Sequence, residues 1–426
     1  MAIDFSPDPE FQHQLAWARD FMVSEVEPLD LLFPGLHYAP PTPEIAKIVR
    51  PLKDEVRARG LWAYALPPEL GGSGGSAVRL AQLNEHVGRA WWGPVIFGSQ
   101  APDTGNAEIL AKFGTREQKA RYLLPLLGGE IFSCFSMTEP QGGADPGVFT
   151  TQAIRDGSDW VINGTKFFSS NAKWASFLIV MAVTDPDRPV YEGMSMFLVD
   201  RDTPGVDIVR NFGLAGDPVG EGSHAMIRYE NVRVPADALL GQEGKAFAVA
   251  QVRLGGGRLH LAMRAVGLAQ RALEMTCERV LSRTTKGSLL SEKQVVQTYV
   301  AESWQLVHQL RLQVLHAAWT VDNGTEGEAR EAIAAVKVAA PHALREVVTR
   351  AIQVHGALGV SNQLPLWEWL QQSHNIAFAD GPVEVHQLNL AKSVLRGYQG
   401  TDSGWPTELI DSRLSEARQR YRELLS

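Results

Sequence analysis

The hydrophobic period of this chain changes twice, near residues 131 and 245, and those two changes constrain its fold more than any other feature. Up to about residue 130 apolar residues recur every three or four positions, as in PEFQHQLAWARDFMVSEV and PEIAKIVRPLKDEVRARGLW, the spacing of one helix face. From about 131 to 244 the period falls to two. FLIVMAV, MSMFLV and AMIRYENVRVP predict short strands separated by polar turns. From 245 the helical spacing returns in much longer stretches, RLHLAMRAVGLAQRALEMTCERVLSR and SEKQVVQTYVAESWQLVHQLRLQVLHAAWTVDNG. At about 1.5 Å per residue such helices reach roughly 40–50 Å, and long antiparallel helices joined by short loops form a bundle. The expected fold is an α+β multi-domain chain: a helical domain (1–130), an antiparallel β domain (131–244) and a helical bundle (245–426).

Local signals refine this outline. Thr115 and Gln118 predict a capping box opening REQKARYLLPLL; Ser291 and Gln294 predict another, on a helix that Asn323-Gly324 should stop. In DWVINGTKFFSS, Asn163-Gly164 is a favoured type I′ pair and predicts a hairpin turn.

A net charge of -8 leaves no basic surplus for nucleic acid. Two cysteines, Cys134 and Cys277, lie far apart in no metal spacing, which points to a reducing compartment. The acidic start MAIDFSPDPEF has no apolar core. No apolar run approaches the roughly 18 residues of a membrane span. A soluble cytoplasmic protein without an integral membrane segment is expected. No H-x-x-x-H or C-x-x-C appears, so no metal site is expected, and His260, His308 and His316 inside long helices predict packing or surface positions.

Five segments resemble, in order, the motifs of the acyl-CoA dehydrogenases: LPPELGGSGG (66–75), CFSMTEPQGGADP (134–146), WVINGTKFFSSNAKWASF (160–177), SRTTKGSLLSEKQ (282–294) and QVHGALGVSNQLPLWEW through ADGPVEVHQ (353–387). APDTGNAEIL, GGGRLHLAMRAVGLAQRAL and ADGPVEVH are most similar to the branch that animals carry fused to an aminoglycoside-phosphotransferase-like kinase domain. The resemblance makes the bundle a four-helix bundle. It implies an FAD enzyme of fatty-acid β-oxidation that desaturates an acyl-CoA thioester to a trans-2-enoyl-CoA, passing hydride to flavin N5. Electron-transfer flavoprotein would be the acceptor and the assembly a homo-oligomer, with a tetramer expected.

Removing an α-proton and a β-hydride needs a base and a hydride acceptor, and no side chain accepts hydride. The family's base lies ahead of the last bundle helix, where FADGPVEVH places Asp380. From the residues alone Asp-Gly-Pro is also a good turn and helix start. The family's other base position precedes an Arg in the long helix; here Gly257 precedes Arg258. By resemblance Phe135, Met137 and Thr138 would line the flavin ring, Gly143 and Ala144 its phosphates, and Phe168 and Ser170 the neighbouring wall. Ala144 stands where many relatives carry Ser. Arg283 and Gln294 would reach a partner subunit's FAD, with Lys286 replacing the usual Phe. Gln353 and Gly356 open a Gly-rich turn of the kind that lets backbone approach a dinucleotide. Two rivals share the scaffold: an oxidase resembling nitroalkane oxidase, and a flavin-free acyl-CoA-binding protein.

Overall fold

A computed structural model describes residues 3–214, 217–402 and 404–425. Its N-terminal part is helical. Helices α1 (Pro9–Phe21), α2 (Pro43–Ala58) and α3 (Ala77–Val87) each open on a side-chain cap, from Asp8, Thr42 and Ser76 respectively. These oxygens satisfy amide donors that a first helical turn leaves without partners. Helix α4 (Asp103–Phe113) follows, and the Thr115–Gln118 capping box forms as expected.

Seven strands come next: β1 (Ser133–Ser136), β2 (Gln152–Asp156), β3 (Asp159–Ser170), β4 (Phe177–Val183), β5 (Met194–Asp200), β6 (Val206–Phe212) and β7 (His224–Val234). They form one sheet in the order β1-β4-β2-β3-β7-β6, with β5 beside β4. Most neighbours are antiparallel, but β1 runs parallel to β4, from Ser133 opposite Phe177 to Ser136 opposite Val180. Strand β4 reads as an unbroken apolar run because both its faces are covered. Phe177, Ile179 and Met181 join the helices' core, while Leu178, Val180 and Ala182 join the sheet's own.

Asn163-Gly164 is not the expected hairpin turn. Strand β3 runs straight through it, and the β2–β3 turn lies at Gly157-Ser158, between Asp156 and Asp159, with Gly157 at φ 65. Gly164 is needed for close approach instead: a Cβ there would stand 2.4 Å from Thr151 Oγ1. The register against β7 slips between Ile162 and Gly164, and Asn163 Oδ1 accepts the Asn231 amide at 2.8 Å. A bulge has taken the pair that sequence assigns to a turn.

The C-terminal part holds helices α5 (Ala246–Ser282), α6 (Gln294–Asn323) and α7 (Glu326–His355), with α8 (Leu366–Phe378) and α9 (Val383–Leu395) packed on α7. Helix α6 ends at Asn323 before Gly324, as expected, but the Ser291–Gln294 capping box is absent. Ser291 sits in a 3-10 turn over Leu290–Glu292 whose carbonyl accepts Gln297 Nε2, so the helix starts later, behind Lys293. One apolar core runs from α1 through α3 and α4 into α5, α6 and α7, so helices from both ends of the chain bury a common face.

Candidate active site

The site forms where the β-sheet meets α5 and the corner between α8 and α9. That corner is built by conflict: α8 ends at Phe378, and Asp380 takes φ 57 before Gly381 at φ 103. Left-handed backbone is rare for residues with a Cβ, and Asp tolerates it better than most. Contacts from three helices hold it. Arg258 Nε of α5 donates to the Asp380 carbonyl at 2.8 Å, and His386 of α9 approaches the same oxygen at 3.4 Å. Lys337 of α7 donates to the Ile376 carbonyl near the end of α8. Lys337 is 2% exposed, and burial pulls its amine down to about 8 against the opposing attraction of Asp380.

The Asp380 side chain faces α5, where Leu254 is followed by Gly255, Gly256 and Gly257. A Cβ on Gly257 would lie 2.5 Å from Asp380 Oδ2, and one on Gly256 would lie 2.5 Å from Glu108 Oε2. The glycines therefore vacate the space that two carboxyl groups occupy. Position 257 and the Asp380 carboxylate compete for one place, so a long acidic side chain at 257 would exclude Asp380. Arg253, one turn earlier, brings Nη1 to 3.6 Å from Asp380 Oδ1.

The facing wall comes from the sheet. Phe135 of β1 pairs directly with Ser170 of β3, so two segments distant in sequence become neighbours by register. Phe168 sits at φ 53 in a bulge between Lys166 and Ser169, turning its ring outward at 48% exposure. Ser170 Oγ lies 2.9 Å from His224 Nδ1, and burial lowers that imidazole's pKa, which favours the neutral ring.

A fully buried ion pair braces this wall. Lys166 Nζ meets Glu139 Oε1 and the Met137 carbonyl, each at 2.8 Å. Glu139 also accepts the amides of Thr150 and Thr151 at 2.7 and 3.0 Å. Burial opposes ionisation of Glu139, but Lys166 and these donors outweigh it and hold the carboxyl at about 2. The loop carrying Met137, Thr138, Gly143 and Ala144 is thereby tied to β3.

Both walls enclose a cleft of about 1980 Å³, lined by Phe135, Met137, Thr138, Gly143, Ala144, Phe168, Ser170 and Asp380 among others. These eight expected site residues share one cavity. Arg283, Gln294, Gln353 and Gly356 lie elsewhere and are exposed. They share the opposite end of the bundle, where Val280, Val296 and Val354 form a separate small core. Along α5, the 25 residues from Arg258 to Arg283 span roughly 37 Å at about 1.5 Å per residue.

Trp92 is buried and Trp91 packs on His37, while Asp30 accepts both tryptophan amides, so this pair is structural core. His308 stacks on Trp304, His260 is buried beside Glu108, and His316 lines the cleft. Among the described residues no group of three metal-ligating side chains occurs. Sequence patterns did not single out Arg253, Lys337, Glu108 or the Glu139–Lys166 pair. Each meets its partner only through tertiary contact, although a Lys in a strand of otherwise alternating pattern was a visible clue.

The chain matches three family models: "Acyl-CoA dehydrogenase, N-terminal domain" over residues 9–130, "middle domain" over 134–232 and "C-terminal domain" over 244–395. It is 44% identical over 375 residues to "Probable acyl-CoA dehydrogenase FadE2" of Mycobacterium tuberculosis, covering 86% of this chain and 89% of that one. It is 39% identical to "Acyl-CoA dehydrogenase family member 11" of Rattus norvegicus over 82% of this chain but only 45% of the rat protein. Its fold is similar to that of butyryl-CoA dehydrogenase from Megasphaera elsdenii, with a TM-score of 0.78 at 26% identity, covering 92% of this chain and 100% of that one.

Proposed function

This chain belongs to the acyl-CoA dehydrogenase family, whose members are oxidoreductases, and from that premise we propose that it desaturates an acyl-CoA thioester between Cα and Cβ, with FAD as cofactor and Asp380 as base. The observation that carries the proposal is the shared cleft, with a carboxylate on one wall and the expected flavin-contact residues on the other.

The residues present fit a flavin. Phe135, Met137 and Phe168 offer an aromatic and thioether surface, and Thr138 and Ser170 offer hydroxyls. Gly143 leaves backbone open to a ligand, since a Cβ there would meet only Thr138 Cγ2, at 3.6 Å. When bound, FAD would supply the hydride acceptor, at N5, that the protein lacks.

The protein's share of the chemistry is proton removal and placement. A carboxylate oxygen of Asp380 accepts the Cα proton as the pair of electrons it leaves behind forms the new double bond and hydride departs from Cβ. Arg258, His386 and Lys337 fix the corner from which Asp380 acts, so little reorganisation is needed at the moment of transfer. Gly257 leaves room beside α5 for the Asp380 carboxylate, since a Cβ there would lie 2.5 Å from Oδ2.

The proposal extends to assembly. A division at residues 130 and 244 follows the changes in element type, with Arg283, Gln294, Gln353 and Gly356 presented to a partner subunit's FAD in a homotetramer. The support is their common, exposed place at the bundle end remote from Asp380. Electron-transfer flavoprotein as acceptor and a cytoplasmic setting belong to the same proposal. Among the described residues no helix is long and apolar enough to cross a membrane.

The test is anaerobic addition of a saturated acyl-CoA to the FAD-loaded protein. The expected result is bleaching of the flavin with one 2-enoyl-CoA formed per flavin. Rapid oxygen use during aerobic turnover would support an oxidase instead, and failure to bind FAD would support a scaffold.

A further inference from the structure

Arg253 is a largely buried cation beside Asp380, and three contacts fix it. Its guanidinium lies 4.0 Å from the centre of the Phe135 ring, its Nε donates to Asn106 Oδ1 at 2.9 Å, and its Nη1 stands 3.6 Å from Asp380 Oδ1. Its side chain is 12% exposed and that of Asp380 19%. Burial lowers the arginine's pKa, opposed first by Asp380 and then by Glu108, yet an Arg stays charged across the working range.

Asn106 is itself held. Its Nδ2 donates to Ser133 Oγ at 2.8 Å, and Ser133 donates through both its amide and its hydroxyl to Asp103 Oδ1, at 2.9 and 2.6 Å. A chain of buried polar contacts therefore runs from Asp103 and Asn106 of α4, through Ser133 of β1, to Arg253 of α5. The other end of Arg253 meets the α8–α9 corner. This arginine joins the candidate base to the helical N-terminal part and the sheet at once.

We propose that Arg253 is a positioning residue for the Asp380 base: it sets the direction and distance of the carboxylate relative to the sheet wall through the Asn106–Ser133–Asp103 chain. This rests on Asp380 being the base. Two contacts act on different parts of Asp380. Arg258 holds its main-chain carbonyl, which fixes the left-handed corner, and Arg253 faces its side chain, which fixes where the carboxylate points. The arrangement needs both, because χ1 of Asp380 stays free when only the backbone is clamped. A misplacement of about 1 Å can cost on the order of 100-fold in rate. Arg suits the role better than Lys, because a rigid planar fork can face Asn106 and Asp380 at once.

A mutant cycle on the FAD-loaded protein tests this: wild type, Arg253→Met, Asp380→Asn and the double variant, with Arg253→Lys alongside. For each, single-turnover flavin reduction by a saturated acyl-CoA and the Kd of an unreactive acyl-CoA thioether are measured. Arg253→Met is expected to slow reduction by about 10–100-fold while the thioether Kd changes only a few-fold. Arg253→Lys should recover part of that loss. In the Asp380→Asn background, Arg253→Met should have almost no further effect. An undiminished effect in that background overturns the proposal, because Arg253 then acts elsewhere. So does a thioether Kd that weakens in step with the rate. If Asp380→Asn alone reduces its flavin normally, the base assignment fails, which is a distinct result. If Arg253→Met does not fold, Arg253→Lys decides: a rate equal to wild type, with one fork contact necessarily lost, overturns the positioning role.

Discussion

At the scale of single residues, the site depends on atoms that are missing as much as on those present. Gly257 leaves room for Asp380 Oδ2 that a Cβ would take at 2.5 Å. Gly257→Ala should therefore separate stability from activity. Replacing Gly by Ala inside a helix is worth up to about 1 kcal/mol of stability, so thermal unfolding should stay level or rise. Flavin reduction by acyl-CoA should nevertheless fall by on the order of 10-fold or more, because the displaced carboxylate loses its alignment. Equal reduction rates would mean that Asp380 moves freely and that the tight fit has no consequence. The place of Asp380, the proposed base, in the cleft was legible through the resemblance of FADGPVEVH to the family's segment ahead of the last bundle helix, and the absence of an acidic residue at 257 pointed the same way. Arg253 was not legible, because nothing in its local sequence reveals that the helix face it occupies turns toward the α8–α9 corner.

At the scale of elements, the sheet wall of the cleft stands on the Glu139–Lys166 pair that ties the 137–144 loop to β3. Removing one member of a buried pair typically costs about 3–5 kcal/mol, because the other is left charged without a partner. Lys166→Met should lower unfolding stability by about that amount and weaken FAD retention, as read by equilibrium denaturation and flavin content. The pH dependence has a definite sign. In the wild type the Glu139 carboxyl is depressed to about 2, so its contribution is complete above the ordinary value of 4.5 and lost as pH falls toward 2. Without Lys166, burial dominates and disfavours the charged carboxylate. The stability gap between variant and wild type should then narrow as pH falls from about 7 to about 4; a constant gap would mean that the pair's charge is irrelevant. Periodicity found the elements here because strands and helices bury faces at different repeats. It failed at Asn163-Gly164, where the same two residues satisfy either a turn or a bulge, and contact with Thr151 decides between them. It failed again at Ser291, where the neighbouring turn delays the helix start.

At the scale of the whole molecule, one apolar core joins helices from both ends of the chain, and one face of the sheet packs on it. The proposed assembly follows from what this leaves at the far end of the bundle. Arg283→Ala with Gln294→Ala alters two exposed residues, so secondary structure and thermal unfolding of the apoprotein should hardly change. FAD content should drop if they reach a partner's cofactor, and sedimentation of the wild type should show an oligomer; a flavin-replete monomer at micromolar concentration would contradict the assembly. Asp380 as the base that starts acyl-CoA oxidation is the central proposal. The most direct measurement is the anaerobic rate of flavin reduction by a saturated acyl-CoA in Asp380→Asn against wild type. Asn keeps the shape and removes the basicity, so FAD and acyl-CoA should still bind, and reduction should slow by about 10²–10⁴-fold, the usual worth of a general base. Reduction within a few-fold of wild type would make Asp380 a turn residue and contradict the account.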